Sequence, residues 1–156
     1  MTLTADVGRE PNTVAGCRLL ADAVTGKMKI VVTKSAQPLQ PVTREIAENL
    51  AKVDVVRYVR ITPGFLQASS EISGVRHIPV TKPGHPTAIG ISLILEEDRE
   101  EIQFYEITSA VKGYGSKLVE AVLCAMPKPW KAIVVMDWSC GFWKEMRRRH
   151  SRIVLL

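Results

Sequence analysis

Residues 109–117 read Ser-Ala-Val-Lys-Gly-Tyr-Gly-Ser-Lys, between a β-branched run and an amphipathic one. Gly113 and Gly115 remove side chains where the backbone must turn from a strand into a helix, which leaves the amides of the turn and of the first helical residues exposed. Exposed amides at a helix start bind phosphate. Lys112 and Lys117 add charge and Ser116 a hydroxyl donor, a set that suits a pyrophosphate. Two other phosphate loops fail on spacing. The P-loop needs G-x-x-x-x-G-K-[ST], and here Ser116 precedes Lys117. The dinucleotide fingerprint needs a third glycine near Leu118 within a parallel βαβ unit; Asp137 ends the next expected strand, but an expected antiparallel hairpin comes before the turn.

The strand leading into this turn, Glu-Ile-Gln-Phe-Tyr-Glu-Ile-Thr-Ser (101–109), carries the other reactive groups. Ile102 and Phe104 alternate, but the next apolar residue is Ile107, which breaks the parity of a regular strand. One extra residue near Tyr105 and Glu106 restores it, so a β-bulge is expected there, and bulges sit beside active sites. The other reading is a half-buried edge strand with Glu106 facing water. Glu101 and Glu106 are the carboxylates of this strand, each an ordinary surface carboxylate in the plainer reading. His77, His85 and His150 match no ligand pattern, and Cys17, Cys124 and Cys140 form no C-x-x-C pair. Neither a metal site nor a disulfide framework is expected, and the thiols read as buried or incidental.

The elements that must position these groups follow from periodicity. The chain has 156 residues, 46% of them hydrophobic, enough for one domain with a continuous core. Residues 1–13 are expected to form a flexible N-terminus and 14–156 a single domain. Val14–Val24 is compatible with a helix stopped by Gly26, 27–34 reads as a strand, 41–52 as a helix with Val42, Ile46 and Leu50 on one face, and 53–61 as a second strand. Thr62–Pro86, with four prolines and three glycines, reads as mostly loop with a short strand at 75–80, and as a candidate substrate-binding region. Residues 87–97 and 100–109 flank a charged turn and form an antiparallel hairpin. Leu118, Val119, Val122, Leu123 and Met126 share one helical face; 130–137 is a buried strand; Ser139 is an N-cap for a helix whose Trp138, Phe142 and Met146 recur every fourth position; and 152–156 closes the chain as a strand.

Charge is unevenly spread. Residues 1–106 hold 12 Lys+Arg against 13 Asp+Glu, while 107–156 hold 9 against 3. The basic excess of the last third suggests an anionic partner, a phosphate-bearing cofactor or a nucleic acid, or simply a solvated basic face. No apolar run reaches a membrane span and the start has no secretory signal, so a cytoplasmic protein with no membrane partner is expected.

The hairpin, the loop Ala110-Val-Lys-Gly-Tyr-Gly and the helix–strand–helix after it resemble the GCN5-related N-acetyltransferase superfamily, whose acyl-CoA loop is written Q/R-x-x-G-x-G/A between its fourth strand and third helix. The resemblance covers residues 87–156, and 101–119 looks especially like the histone-acetyltransferase branch. Gly113 and Gly115 fall on the family glycines, and Ala110 stands where Gln or Arg is usual. The resemblance implies an α/β (α+β) fold, a mixed, mostly antiparallel central sheet with helices on both faces. It implies a bulge that parts this strand from the next parallel one, the pantetheine arm lying in the gap. The implied donor is acetyl-CoA, contacted by Ile107, Ser109, Val111, Lys112, Gly113, Tyr114, Gly115, Ser116, Lys117 and Trp143. The implied reaction is direct attack of a primary amine on the thioester, with Glu101 or Glu106 as base. Where the family places an acidic tyrosine this chain has Trp143, which cannot donate a proton in that role, so Tyr105, Tyr114 or solvent must substitute.

Three functions follow: an acyl-CoA-dependent N-acyltransferase acting on an unidentified amine, a non-catalytic acyl-CoA-binding regulator of the same fold, or a basic nucleic-acid-binding domain. A homodimer is compatible with each. Four arginines within 147–152 bear on the third function, although cations at a helix C-terminus also answer the dipole.

Overall fold

A computed structural model of the chain describes residues 17–22, 29–137 and 139–156. The expected flexible segment 1–13 and the helical-face position Trp138 lie outside the described residues. The first half contains β1 (Cys17–Asp22), β2 (Lys29–Thr33), α1 (Pro41–Ala51), β3 (Tyr58–Thr62), β4 (Phe65–Ser69), β5 (Ile72–Ser73) and β6 (Ile78–Pro79). The second contains β7 (Ile89–Glu96), β8 (Glu101–Ser109), α2 (Tyr114–Ala125), β9 (Lys131–Val134), α3 (Phe142–Arg149) and β10 (Ile153–Leu155). Eight strands form one sheet in the order β1-β2-β3-β4-β7-β8-β9-β10, and β5 pairs with β6 apart from it. The fold is a mixed α/β one. Four neighbouring pairs of the large sheet run antiparallel, and β2/β3, β8/β9 and β9/β10 run parallel.

Strand register explains where the core sits. Val59 pairs with Ala68, Ala68 with Ile91 and Ile91 with Ile107; Leu66 pairs with Leu93 and Leu93 with Phe104. Partners across a ladder point to the same face, so these rows make one apolar face, and the helices bury Ile46, Leu50, Leu118, Val122 and Met146 in the same cluster. Asn49 of α1 donates to the Ala121 carbonyl of α2 at 3.0 Å, and Trp143 of α3 packs on Phe104 with ring centroids 4.9 Å apart. The expectation of helices on both faces is therefore corrected: all three lie together on the apolar face. The opposite face presents Gln67, Ser69, Ser92, Glu106 and Thr108, too polar to bury a helix, and segment 70–88 covers it instead.

Three readings of the first half also change. Residues 17–22 of the expected helix form strand β1, paired with β2; a short apolar run fits either period, and the neighbouring edge decides. The expected strand 53–61 begins only at Tyr58, because the Val53 and Val56 amides close turns onto Leu50 and Val53 and bring buried Val56 under the helix end. The expected loop 62–86 contains β4, which sits between β3 and β7. Pro63 and Gly64, the latter at φ 69°, make a two-residue turn that returns the chain directly, with Thr62 opposite Phe65. The short strand expected in that segment is present as β6. Cys124 and Cys140 are exposed free thiols, which fits the incidental alternative of the sequence reading and not the buried one.

Candidate functional site

The site is built where β8 loses a neighbour. From Glu101 to Gln103 it is paired on both sides, to β7 and, through Lys131, Ala132 and Ile133, to β9. Ser92 pairs with Glu106 and the next residue, Leu93, with Phe104, so Tyr105 is the extra residue of a β-bulge. The bulge sharpens the local bend and twist. Beyond it β8 stays with β7 as far as Ser109, while β9 ends at Val134 and leaves Val135 and Met136 exposed. The two strands part into a wedge, and the parity break at Ile107 is the sequence signature of it.

The wedge holds two adjoining cavities. One, of about 380 Å³, is lined by Phe104, Ile107, Ser109, Ser139 and Trp143 from the helix side and by Gly84 and His85 from the covering segment. The second, of about 550 Å³, opens to the polar face between Ile94, Gln103, Lys82, Val135 and Met136. Phe104, Tyr105, Glu106, Pro83 and Met136 border both.

Glu106 is therefore at the junction. Its Oε1 accepts a hydrogen bond from buried Thr81 at 2.9 Å, and it has no cationic partner among the described residues. A carboxylate has lone pairs for about four donors, so Glu106 keeps acceptor capacity toward the opening. Thr108 accepts from the His85 amide at 3.2 Å, and His85 Nδ1 accepts from the amides of Thr87 and Ala88 at 3.1 and 3.0 Å. These bonds hold the covering segment against the strand.

At the foot of the wedge the chain turns into α2. Gly113 is the N-cap at φ 95°, a left-handed conformation that a β-carbon penalises, and nothing lies within 4 Å of where that carbon would be. The amides of Lys112, Gly113, Gly115 and Ser116 find no acceptor among the described residues. The start of a 12-residue helix thus faces open space beside exposed Lys112 and Lys117. Arg149 Nη2 donates to Ser116 Oγ at 3.0 Å and brings a guanidinium to the same turn. Gly115 has a different role: a β-carbon there would meet the Phe142 ring at 3.2 Å, so this glycine lets α2 and α3 approach.

The structure brings together Tyr105, Glu106, Ile107, Ser109 and Trp143 around the wedge, and Val111 to Lys117 at its foot. Ser109 Oγ donates to the Val111 carbonyl and tightens the turn. Trp143 both lines the cavity and belongs to the core, being 4% exposed and packed on Phe104 and Phe142. Ser139 accepts from the Trp143 amide at 3.2 Å, two positions before the N-cap residue Gly141, so it steadies α3 from just outside the helix. Glu101 lies elsewhere, about 15 Å along the strand from Glu106, with Arg99 Nε 3.6 Å from its carboxylate. Tyr114 also points away from the wedge. Its hydroxyl donates to Asp54 at 2.9 Å, and this bond holds the phenol above its ordinary range.

Thr81, His85, Thr108 and Met136 were not singled out from sequence. For Thr81 and His85 the only signal was the proline- and glycine-rich composition of 62–86, which marked a binding segment without marking residues; Thr108 and Met136 lay on expected strands and carried no signal of their own. No protein-family description, curated protein or solved structure matches this chain. Among the described residues no three His, Cys, Asp or Glu side chains converge as metal ligands, and no helix is long and apolar enough to cross a membrane.

Proposed function

We propose that the chain is an acyl-CoA-dependent N-acyltransferase that acetylates a primary amine. The observation that carries this reading is the wedge between β8 and β9, with the acceptor-free amides of α2 at its foot and a cation-free carboxylate at its junction. The residues present fit acetyl-CoA. Lys112, Gly113, Gly115 and Ser116 offer amides to its pyrophosphate, Lys112 and Lys117 offer charge, and the trough lined by Ile107, Ser109, Phe104 and Trp143 accepts a narrow, mainly apolar arm. When bound, acetyl-CoA supplies a thioester whose carbonyl carbon forms a C–N bond with the amine as the C–S bond breaks, giving amide, free thiol and one proton from the starting ammonium.

Glu106 accepts that proton, directly or through one water, and Thr81 fixes the carboxylate. Tyr105, at the same junction, is the phenol placed to return a proton to the sulfur; Tyr114 is occupied by Asp54. The nucleic-acid reading is weakened by the ion pairs of the basic tail. Arg148 reaches Glu145 at 2.6 Å, which holds that carboxyl below its usual range, and Arg149 lies 3.5 Å from Glu120. The non-catalytic reading draws on one observation, the buried indole at position 143. Calorimetry with acetyl-CoA, followed by thiol release over a panel of amines, separates the three. Binding with thiol release supports the enzyme, binding without release under every amine supports the regulator, and no binding defeats both.

A further inference from the structure

We infer that the cavity on the polar face is the acceptor site and that it takes a primary amine carried by an apolar or aromatic body, rather than a short or polar amine. The inference rests on the acyl-transfer reading for its role and on the cavity itself for its selectivity. Among the described residues six large apolar side chains are conspicuously exposed, and three of them, Tyr105 (57%), Val135 (48%) and Met136 (60%), border this one cavity. Apolar groups left in water around a concavity mark what it binds. Tyr105 takes the polar face by alternation from Phe104, the bulge keeps Glu106 on the same face beside it, and Phe65 meets the Tyr105 ring edge-on with centroids 6.0 Å apart, so the aromatic wall is held in place before any ligand arrives. A volume of about 550 Å³ is far more than a two-carbon amine fills and leaves ample room for a phenyl or hexyl body.

Charge gives the orientation. Glu106 is the one carboxylate of the lining, and its single donor, Thr81, leaves room for an ammonium; Lys82 is the one cation, exposed at the rim on the covering segment. A cationic head next to Glu106 places the nitrogen at the junction of the two cavities, where the acyl group would be presented. The body then lies against Ile94, Val135 and Met136. A ligand in the reverse orientation would put its ammonium beside Lys82 and its apolar body beside a carboxylate.

The test measures binding directly, by calorimetry of the full chain with 2-phenylethylamine, ethylamine and the uncharged isostere 2-phenylethanol, and separately with acetyl-CoA. The expected result is 2-phenylethylamine bound at least tenfold more tightly than either comparator. Met136→Ser together with Val135→Asn should erase the advantage over ethylamine. Glu106→Gln should erase the advantage over 2-phenylethanol while keeping the aromatic preference. Equal or absent binding of the three probes to protein that binds acetyl-CoA normally overturns the inference and leaves the acyl-transfer reading standing. Selective amine binding by protein that ignores acetyl-CoA keeps the pocket and defeats the acyl-transfer reading. A lysine-containing tetrapeptide bound more tightly than 2-phenylethylamine also overturns the inference.

Discussion

The two ends of strand β8 make an instructive pair. Each has a cavity and carboxylates, and only one is left chemically open. At the start of the strand a cavity of about 400 Å³ is rimmed by Glu96, Glu97, Asp98 and Arg99. There Glu96 and the neighbouring Glu101 are already answered, Arg99 lying 3.8 Å from the first and 3.6 Å from the second and Gln103 donating to Glu96 at 3.4 Å, while Asp98 stands out in solvent. Glu97, whose carboxyl burial pushes up, has Thr43 as a partner. At the other end the sheet has lost a strand and Glu106 has a single hydroxyl. A carboxylate whose partners are intramolecular gains little from a ligand's ammonium, whereas one with free lone pairs at a cavity wall does. The number of acids is therefore a poor guide to the site, and their unmet hydrogen bonding a good one.

The comparison can be broken by mutation. The largest effect is expected from Trp143→Ala, which removes a buried ring packed on two others at the open end and should cost about 3–5 kcal/mol, read as a lower melting temperature. A loss below about 1 kcal/mol would mean that the wedge is not braced by the core. Glu106→Gln comes next: turnover at neutral pH should fall about 100-fold with acetyl-CoA affinity within about twofold, the size expected for a general base. Glu101→Gln and Glu97→Gln should leave turnover within about twofold, and an equal fall in either would erase the distinction between the two ends.

The two glycines of the turn sharpen it further. Gly113→Val puts a β-branched residue at φ 95° over the free amides and should weaken acetyl-CoA binding about tenfold, measured by calorimetry. Gly115→Ala should act mainly on melting temperature, through the 3.2 Å approach to Phe142. If Gly113→Val binds acetyl-CoA like the wild type, the phosphate turn is misplaced. The smallest effect belongs to Tyr114→Phe. It removes an exposed bond to Asp54, and both affinity and melting temperature should barely move.

Much of the second half was legible because each element carried its own period. Leu118, Val119, Val122, Leu123 and Met126 are all buried as the helical face requires, and the break between Phe104 and Ile107 located the bulge to within one residue, Tyr105. β4 was hidden because prolines and glycines nearby outweighed Phe-Leu-Gln-Ala-Ser, although Pro63-Gly64 was itself a hairpin signal. The single helical layer was not legible either. Which face of a sheet receives a helix depends on rows of partners from distant strands, and no single strand reveals it. For the same reason sequence weighed Glu101 and Glu106 alike; only the point where β9 departs separates them.

Gly90 has a consequence for how such a protein can change. A β-carbon there would collide with the Val80 carbonyl oxygen, so segment 70–88 rests on bare backbone at that point of β7. The roof over the polar face is seated on a notch and tied down by hydroxyls and amides, while the apolar core lies on the far side of the sheet. The polar-face cavity and the folding core thus lie on opposite sides of one sheet. Substitutions in the roof therefore act on the polar face at little cost to the core, provided the notch keeps its glycine.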